Sequence, residues 1–137
     1  MRMFISLALT TALLITLAAV WQPASADEAA KSGEAGPLRH VVMFRFKEGT
    51  PPEKIREIEE AFIALPKQVD TITDFEWGTN DSPEGLADGF THCFLVTFAD
   101  EKGRDTYLPH AAHKEFVTLL RPHLDKAFVV DYVAQRD

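Results

Sequence analysis

The sequence predicts an α+β domain: a ferredoxin-like β-α-β-β-α-β antiparallel sheet, helices on one face, forming a dimeric α+β barrel with a second copy. Three observations carry this prediction. Four short segments alternate apolar residues with period two, and helical spacing fills the gaps after the first and the third. That order of elements is the split β-α-β arrangement. The face of the sheet left free of helices is also apolar, more so than a soluble monomer usually leaves wet.

The first strand is "HVVMFRFK", where His40, Val42, Phe44 and Phe46 share one face and Val41, Met43 and Arg45 the other. "EGTPPEKIREIEEAFIALPKQV" follows, its proline pair suited to a helix start. Apolar residues recur there at Ile55, Ile58, Phe62 and Leu65, with Glu53, Glu57 and Glu60 on the wet side. "TDFEWGT" alternates around Phe75 and Trp77, a short strand, and "NDSPEGLADG" is loop by composition. "FTHCFLVTF" is the clearest strand, with His92, Phe94, Val96 and Phe98 on one side and Thr91, Cys93, Leu95 and Thr97 on the other. Asp100 is placed to cap a helix from Glu101 to about Leu108, and Pro109 restarts it toward Leu120. "KAFVVDYVA" is the last strand. With helices over Phe44 and Phe94, the open side carries Val41, Met43, Cys93 and Leu95. The last strand adds either Phe128, Val130 and Tyr132 or Val129, Asp131 and Val133. Pairing two such faces buries them, so a homodimer is expected.

Ahead of this domain, "MRMFISLALTTALLITLAAVWQPASA" joins a basic Arg2 to an apolar run from Met3 to Trp21, then Pro23 and the small triplet Ala24-Ser25-Ala26. That order of parts reads as a signal peptide, residues 1–26, cleaved after Ala26. An uncleaved anchor is the rival, since the run approaches the roughly 20 residues that span a bilayer. Pro23 and the Ala-x-Ala site favour cleavage, so the protein is expected to be exported, periplasmic or secreted, and to meet the membrane only through this peptide. Residues 27–38 form a small, polar leader, and 39–135 the domain.

Of 137 residues, removal of 26 leaves 111, one domain's worth. Of the 14 basic residues, loss of Arg2 leaves 13 against 21 acidic, a net charge of about −8. No basic cluster reverses that balance locally, which excludes nucleic acid as an expected partner. The single cysteine, Cys93, forms no internal disulfide, so the domain rests on its core.

"DTYLPHAAHKEF" concentrates candidate chemistry. In one helix, residues six apart sit about 240° round the axis, so Tyr107 and His113 would diverge. Pro109 splits the helix and lets them converge across the junction. His113 is in line with Phe116, Val117 and Leu120 and so points inward, while His110, about 60° away, lies at the edge. His40 and His92 start their strands on the apolar faces assigned to the helix side. Each histidine alone is most simply a hydrogen-bonded core residue. Together they suggest a ligand pocket in the core.

"LRHVVMFRFK", "FEWG", "THCFLVTF", "YLPHAAHKEF" and "VVDYV", in this order and spacing, resemble the stress-responsive A/B barrel (Dabb) family across nearly all of Leu38 to Val133. The resemblance implies a dimeric α+β barrel. Many members have no assigned reaction; the best understood is a plant polyketide cyclase that closes a tetraketide thioester by aldol condensation. Its catalytic tyrosine and histidine fall on Tyr107 and His113, a carboxylate orienting that histidine on Asp131, and two further pocket histidines on His40 and His92. Where the cyclase has a pocket tyrosine on the first helix, this chain has Phe62.

The resemblance implies acid–base chemistry on a small hydrophobic or carbonyl-containing molecule. His113 would take a proton alpha to the carbonyl, Asp131 would hold the imidazole, and Tyr107 would donate to the enolate oxygen. No cofactor is implied. A non-catalytic ligand-binding or stress-associated dimer is the alternative. A metal site from His110 and His113 with His40 or His92 is a third reading, unsupported by any His-Glu-x-x-His pattern or paired thiols.

Overall fold

Strand β1 (Leu38–Phe46) pairs on both sides, antiparallel to β3 (His92–Phe98) and to β4 (Leu124–Val133), with β2 (Ile72–Thr79) outside β3. The resulting sheet order is β2-β3-β1-β4. The computed structural model describes residues 36–135; the predicted signal peptide and the leader as far as residue 35 lie outside them. β1 begins at Leu38, one residue before the predicted domain boundary, and Leu38 is already buried.

Helix α1 (Pro52–Ile63) starts on the proline pair, since Pro52 needs no hydrogen-bond partner for its nitrogen in the first turn. It buries Ile58 and Phe62, and Leu65 follows in a short 3-10 turn, Leu65–Lys67. After β3, the Asp100 carboxylate accepts from Gly103 N at 3.0 Å and caps α2 (Glu101–Tyr107). α3 (Ala111–Leu120) follows the break at Pro109. These three helices of the described residues lie on the face carrying Val42, Phe44, Phe94 and Val96.

Phe62 sits at the centre of that layer. Its ring is 4.3 Å from Phe94 and 4.5 Å from Phe116, and Phe44 stands 5.3 Å from Phe94. Four rings from α1, α3, β1 and β3 thus hold helices to sheet by area and offset stacking.

The register settles which side β4 turns outward. Val41 pairs with Val130 and Met43 with Phe128, so Phe128, Val130 and Tyr132 share the open face with Val41 and Met43. Phe128 and Tyr132 are each 47% exposed, a wet apolar patch of the predicted kind.

Candidate active site

Tyr107 closes α2, and the chain must then reverse into α3. His110 N donates to Tyr107 O at 3.0 Å, and His110 itself caps α3, its Nδ1 accepting from Ala112 N at 3.2 Å. Three residues after that cap, His113 folds back over the junction. Its Nδ1 donates to Leu108 O at 2.9 Å, filling a carbonyl left without a helical partner where α2 ends. The Tyr107 and His113 rings lie 4.3 Å apart between centroids. The break at Pro109 therefore does bring the two residues together.

These rings, with His40, meet a cavity of about 300 Å³ walled by Val42, Phe62, Phe116, Leu120 and Val129. His113 and Leu108 also line a surface groove with Arg121, so the histidine stands between the cavity and the outside. His40 lies edge-on to Tyr107 at 5.9 Å. Phe62 lines the cavity as an apolar wall, without the hydroxyl that a tyrosine would bring.

Asp131 does not partner His113. Its Oδ1 is 2.6 Å from His40 Nδ1, and its Oδ2 accepts from Arg104 Nη1 at 3.1 Å. The β1–β4 register places His40 directly opposite Asp131, whereas the Nδ1 of His113 is already taken by a backbone carbonyl. A carboxylate only accepts, so Nδ1 of His40 carries the proton and Nε2 is its free nitrogen. His113 has the same pattern through Leu108. The junction thus offers two imidazoles with free Nε2 atoms beside one phenol.

His92 is not in this cavity. Antiparallel pairing sends the starts of β1 and β3 to opposite ends of the sheet, where His92 faces Phe44 and His40 faces Val96. At its own end His92 is buried: Nε2 donates to Glu59 Oε1 at 2.8 Å, and Nδ1 accepts from Thr91 Oγ1 at 2.8 Å. Trp77 stacks parallel to the His92 ring at 6.4 Å. His110, as a helix cap, does not line the cavity either. The three histidines that a metal site would need are therefore dispersed, and among the described residues no group of three or more such ligands assembles.

Sequence reasoning missed Arg104 and Glu59. Glu59 had a signal, because it follows Ile55 by four and precedes Phe62 by three, on the inward stripe of α1. Arg104 had none, since only the fold carries it to Asp131.

Burial pushes the Tyr107 phenol well above its ordinary value, with no charged neighbour contributing. Burial likewise lowers His113; the Leu108 carbonyl opposes that, and the nearby His40 adds to it. The site accordingly holds a protonated phenol beside a neutral imidazole near neutral pH, a donor and a base in contact.

The chain matches the stress-responsive A/B barrel domain, Dabb, over residues 38–134. The stress-response A/B barrel domain-containing protein HS1 of Arabidopsis thaliana is 39% identical over 97 residues, covering 71% of this chain and 89% of its own. Olivetolic acid cyclase of Cannabis sativa is 23% identical over 99 residues, covering 72% and 98%. Among solved structures, hydroxynitrile lyase from Passiflora edulis matches with a TM-score of 0.70 at 26% identity, covering 74% of this chain and 96% of its own. A dimeric ferredoxin-like protein of unknown function from Jannaschia sp. CCS1 matches with a TM-score of 0.63 at 27% identity, covering 71% and 98%.

Proposed function

The chain belongs to the stress-responsive A/B barrel (Dabb) family, and from that premise we propose that it is an exported, homodimeric acid–base enzyme acting on a small, uncharged carbonyl compound. The observation that carries the proposal is the contact of the Tyr107 and His113 rings, 4.3 Å apart, on one apolar cavity. His113 Nε2 takes a proton from the carbon beside the carbonyl. The C–H electron pair moves into the new C=C bond, and the carbonyl π pair moves onto oxygen. Tyr107 donates its O–H to that oxygen as charge develops, in a cavity walled mainly by apolar side chains. Return of the proton, or bond formation or cleavage at the same carbon, completes an isomerase-, cyclase- or lyase-type cycle. Two relatives of this fold bear the names of a cyclase and a lyase, which favours chemistry of this kind.

Absence of charge in the substrate follows from the wall. The residues lining the cavity include no lysine or arginine, so a carboxylate or phosphate inside would lack a counterion. Export rests on the N-terminal sequence, and the homodimer on the wet apolar sheet face and the dimeric fold relative. The aliphatic wall of Leu120, Leu124 and Val129 also suits a ligand that is held and not converted, which is the second reading.

Native mass spectrometry of the exported protein tests these parts together. A subunit mass beginning at Asp27, two subunits per particle and an added small mass are expected. Turnover of that compound, or of neutral β-dicarbonyl probes, separates enzyme from binder; an added mass with no turnover by the protein would sink the catalytic reading.

The pH dependence follows from the two shifts. Because His113 is lowered, the acid limb of kcat/KM should have its midpoint below pH 6.5. Because Tyr107 is raised, no alkaline limb from the phenol should appear up to about pH 10. Stability has the matching signs. Below the unfolded histidine pKa of about 6.5 the unfolded chain binds more protons at His113, so its contribution falls as pH drops toward the folded value. Above about pH 10 the unfolded tyrosine loses a proton that the native one keeps, so stability falls there as well. An acid limb centred above 6.5 would contradict the assignment of His113 as base.

A further inference from the structure

The β2–β3 connection plays no part in the Tyr107–His113 site, yet it is built with some care. It leaves the edge strand at Thr79 and comes back over the open face as far as β4. The carbonyl of Asp88, a residue at φ +45°, accepts from Arg45 Nη1 at 2.9 Å. Its carboxylate lies 3.6 Å from both Arg45 and Lys126. Asp125 holds Arg45 from below at 2.6 Å. Phe90 lies edge-on to Phe128, 6.2 Å between centroids, with the Arg45 and Lys126 cations 5.9 and 5.7 Å from its centre.

Gly89, at φ +78°, lets the loop hug that cluster, since a Cβ there would stand 2.7 Å from Arg45 Cδ. The result is a braced rim at one end of the open face. Beneath it is a cavity of about 560 Å³ floored by Met43, Cys93 and Phe128. On the rim stands Leu86, at 81% the most exposed large apolar side chain among the described residues.

We propose that this rim is a dimer clasp, with Leu86 of each copy buried against the second copy of the chain. The inference rests on the homodimer reading of the open face and adds a contact that flat sheet pairing does not require. The rim is continuous with the open face through Phe90 on Phe128, so it lies where a second copy paired on that face would approach. Arg45 is paired with Asp125 and Asp88, and Lys126 with Asp88, so neither cation of the rim is left over to select an acidic occupant. A single exposed leucine on a free loop needs no explanation; one held in place at the edge of an apolar face does.

The test is the dissociation constant of the full exported chain, read by light scattering over a dilution series. Leu86→Asp and Leu86→Ser are compared with Val130→Asp at the centre of the sheet face. The wild type should be dimeric at micromolar concentration, and each Leu86 variant should raise the constant roughly tenfold or more, because two leucines leave the interface per dimer. Unchanged circular dichroism and melting of the isolated subunit are expected, since Leu86 contributes little to its own fold. A monomeric wild type overturns the homodimer and the clasp together. A dimer that Val130→Asp dissociates and both Leu86 variants leave intact overturns the clasp alone. So does a native mass spectrum of the wild-type dimer in which each subunit retains a small apolar molecule that Leu86→Asp loses.

Discussion

Replacing His113 with alanine is expected to lower kcat/KM on a carbonyl substrate by roughly 10²–10⁴, the span that a positioned acid–base group contributes. The variant should still fold, because His113 is only half-buried and its one protein bond is to the Leu108 carbonyl. Loss of that bond costs about 1 kcal/mol, or a few degrees in melting temperature. His113→Gln separates the two contributions. Its amide can donate to Leu108 O but cannot act as a base, so melting should recover while turnover does not. Tyr107→Phe should reduce kcat more than it raises KM, since the hydroxyl is needed mainly once the oxygen carries charge. Asp131→Asn should not copy His113→Ala, because Asp131 holds His40. Turnover that survives in His113→Ala would remove the histidine from the mechanism; melting restored along with turnover in His113→Gln would make its role structural.

What was legible in the sequence, and what was not, divides along a physical line. Alternation in "FTHCFLVTF" and the 3.6-residue stripe through Ile58 and Phe62 are local signals, and both elements form as read. The convergence of Tyr107 and His113 was legible too, because a proline break acts within a few residues. Pairing across the sheet was not. Asp131 meets His40 and not His113 because of a register between strands 91 residues apart, which no local pattern encodes. The same holds for His92: it looks equivalent to His40 within its strand, and antiparallel pairing carries it to the other end. β4 resisted for another reason. "AFVVDYV" is apolar on both faces, so period two could not say which set pointed outward until Val41 was found opposite Val130.

Phe62→Ala is expected to cost roughly 3–5 kcal/mol, the usual range for removing a buried phenylalanine. For a domain of this size that lowers the melting temperature by roughly 15–30 °C, measurable by calorimetry or circular dichroism. The upper part of the range is favoured because the ring has little freedom to be replaced. It is 1% exposed and touches Phe94 and Phe116 closely, so the surrounding rings are anchored on three other elements and cannot collapse into the space. Part of the vacated volume would instead join the cavity that Phe62 walls, widening it beside His113 and Tyr107. Stability and specificity should therefore move together: bulkier neutral carbonyl probes gain in relative kcat/KM as melting falls. Phe62→Tyr is the sharper companion. It conserves the ring and its stacking but adds a hydroxyl that costs about 1–3 kcal/mol if it is buried without a partner. A melting loss well below that range would mean the hydroxyl has found His40, His113 or water in the cavity. A loss within it would show that the rings of Phe44, Phe94 and Phe116 leave it none. A Phe62→Ala variant melting within a few degrees of wild type would mean that the aromatic layer does not hold α1 to the sheet.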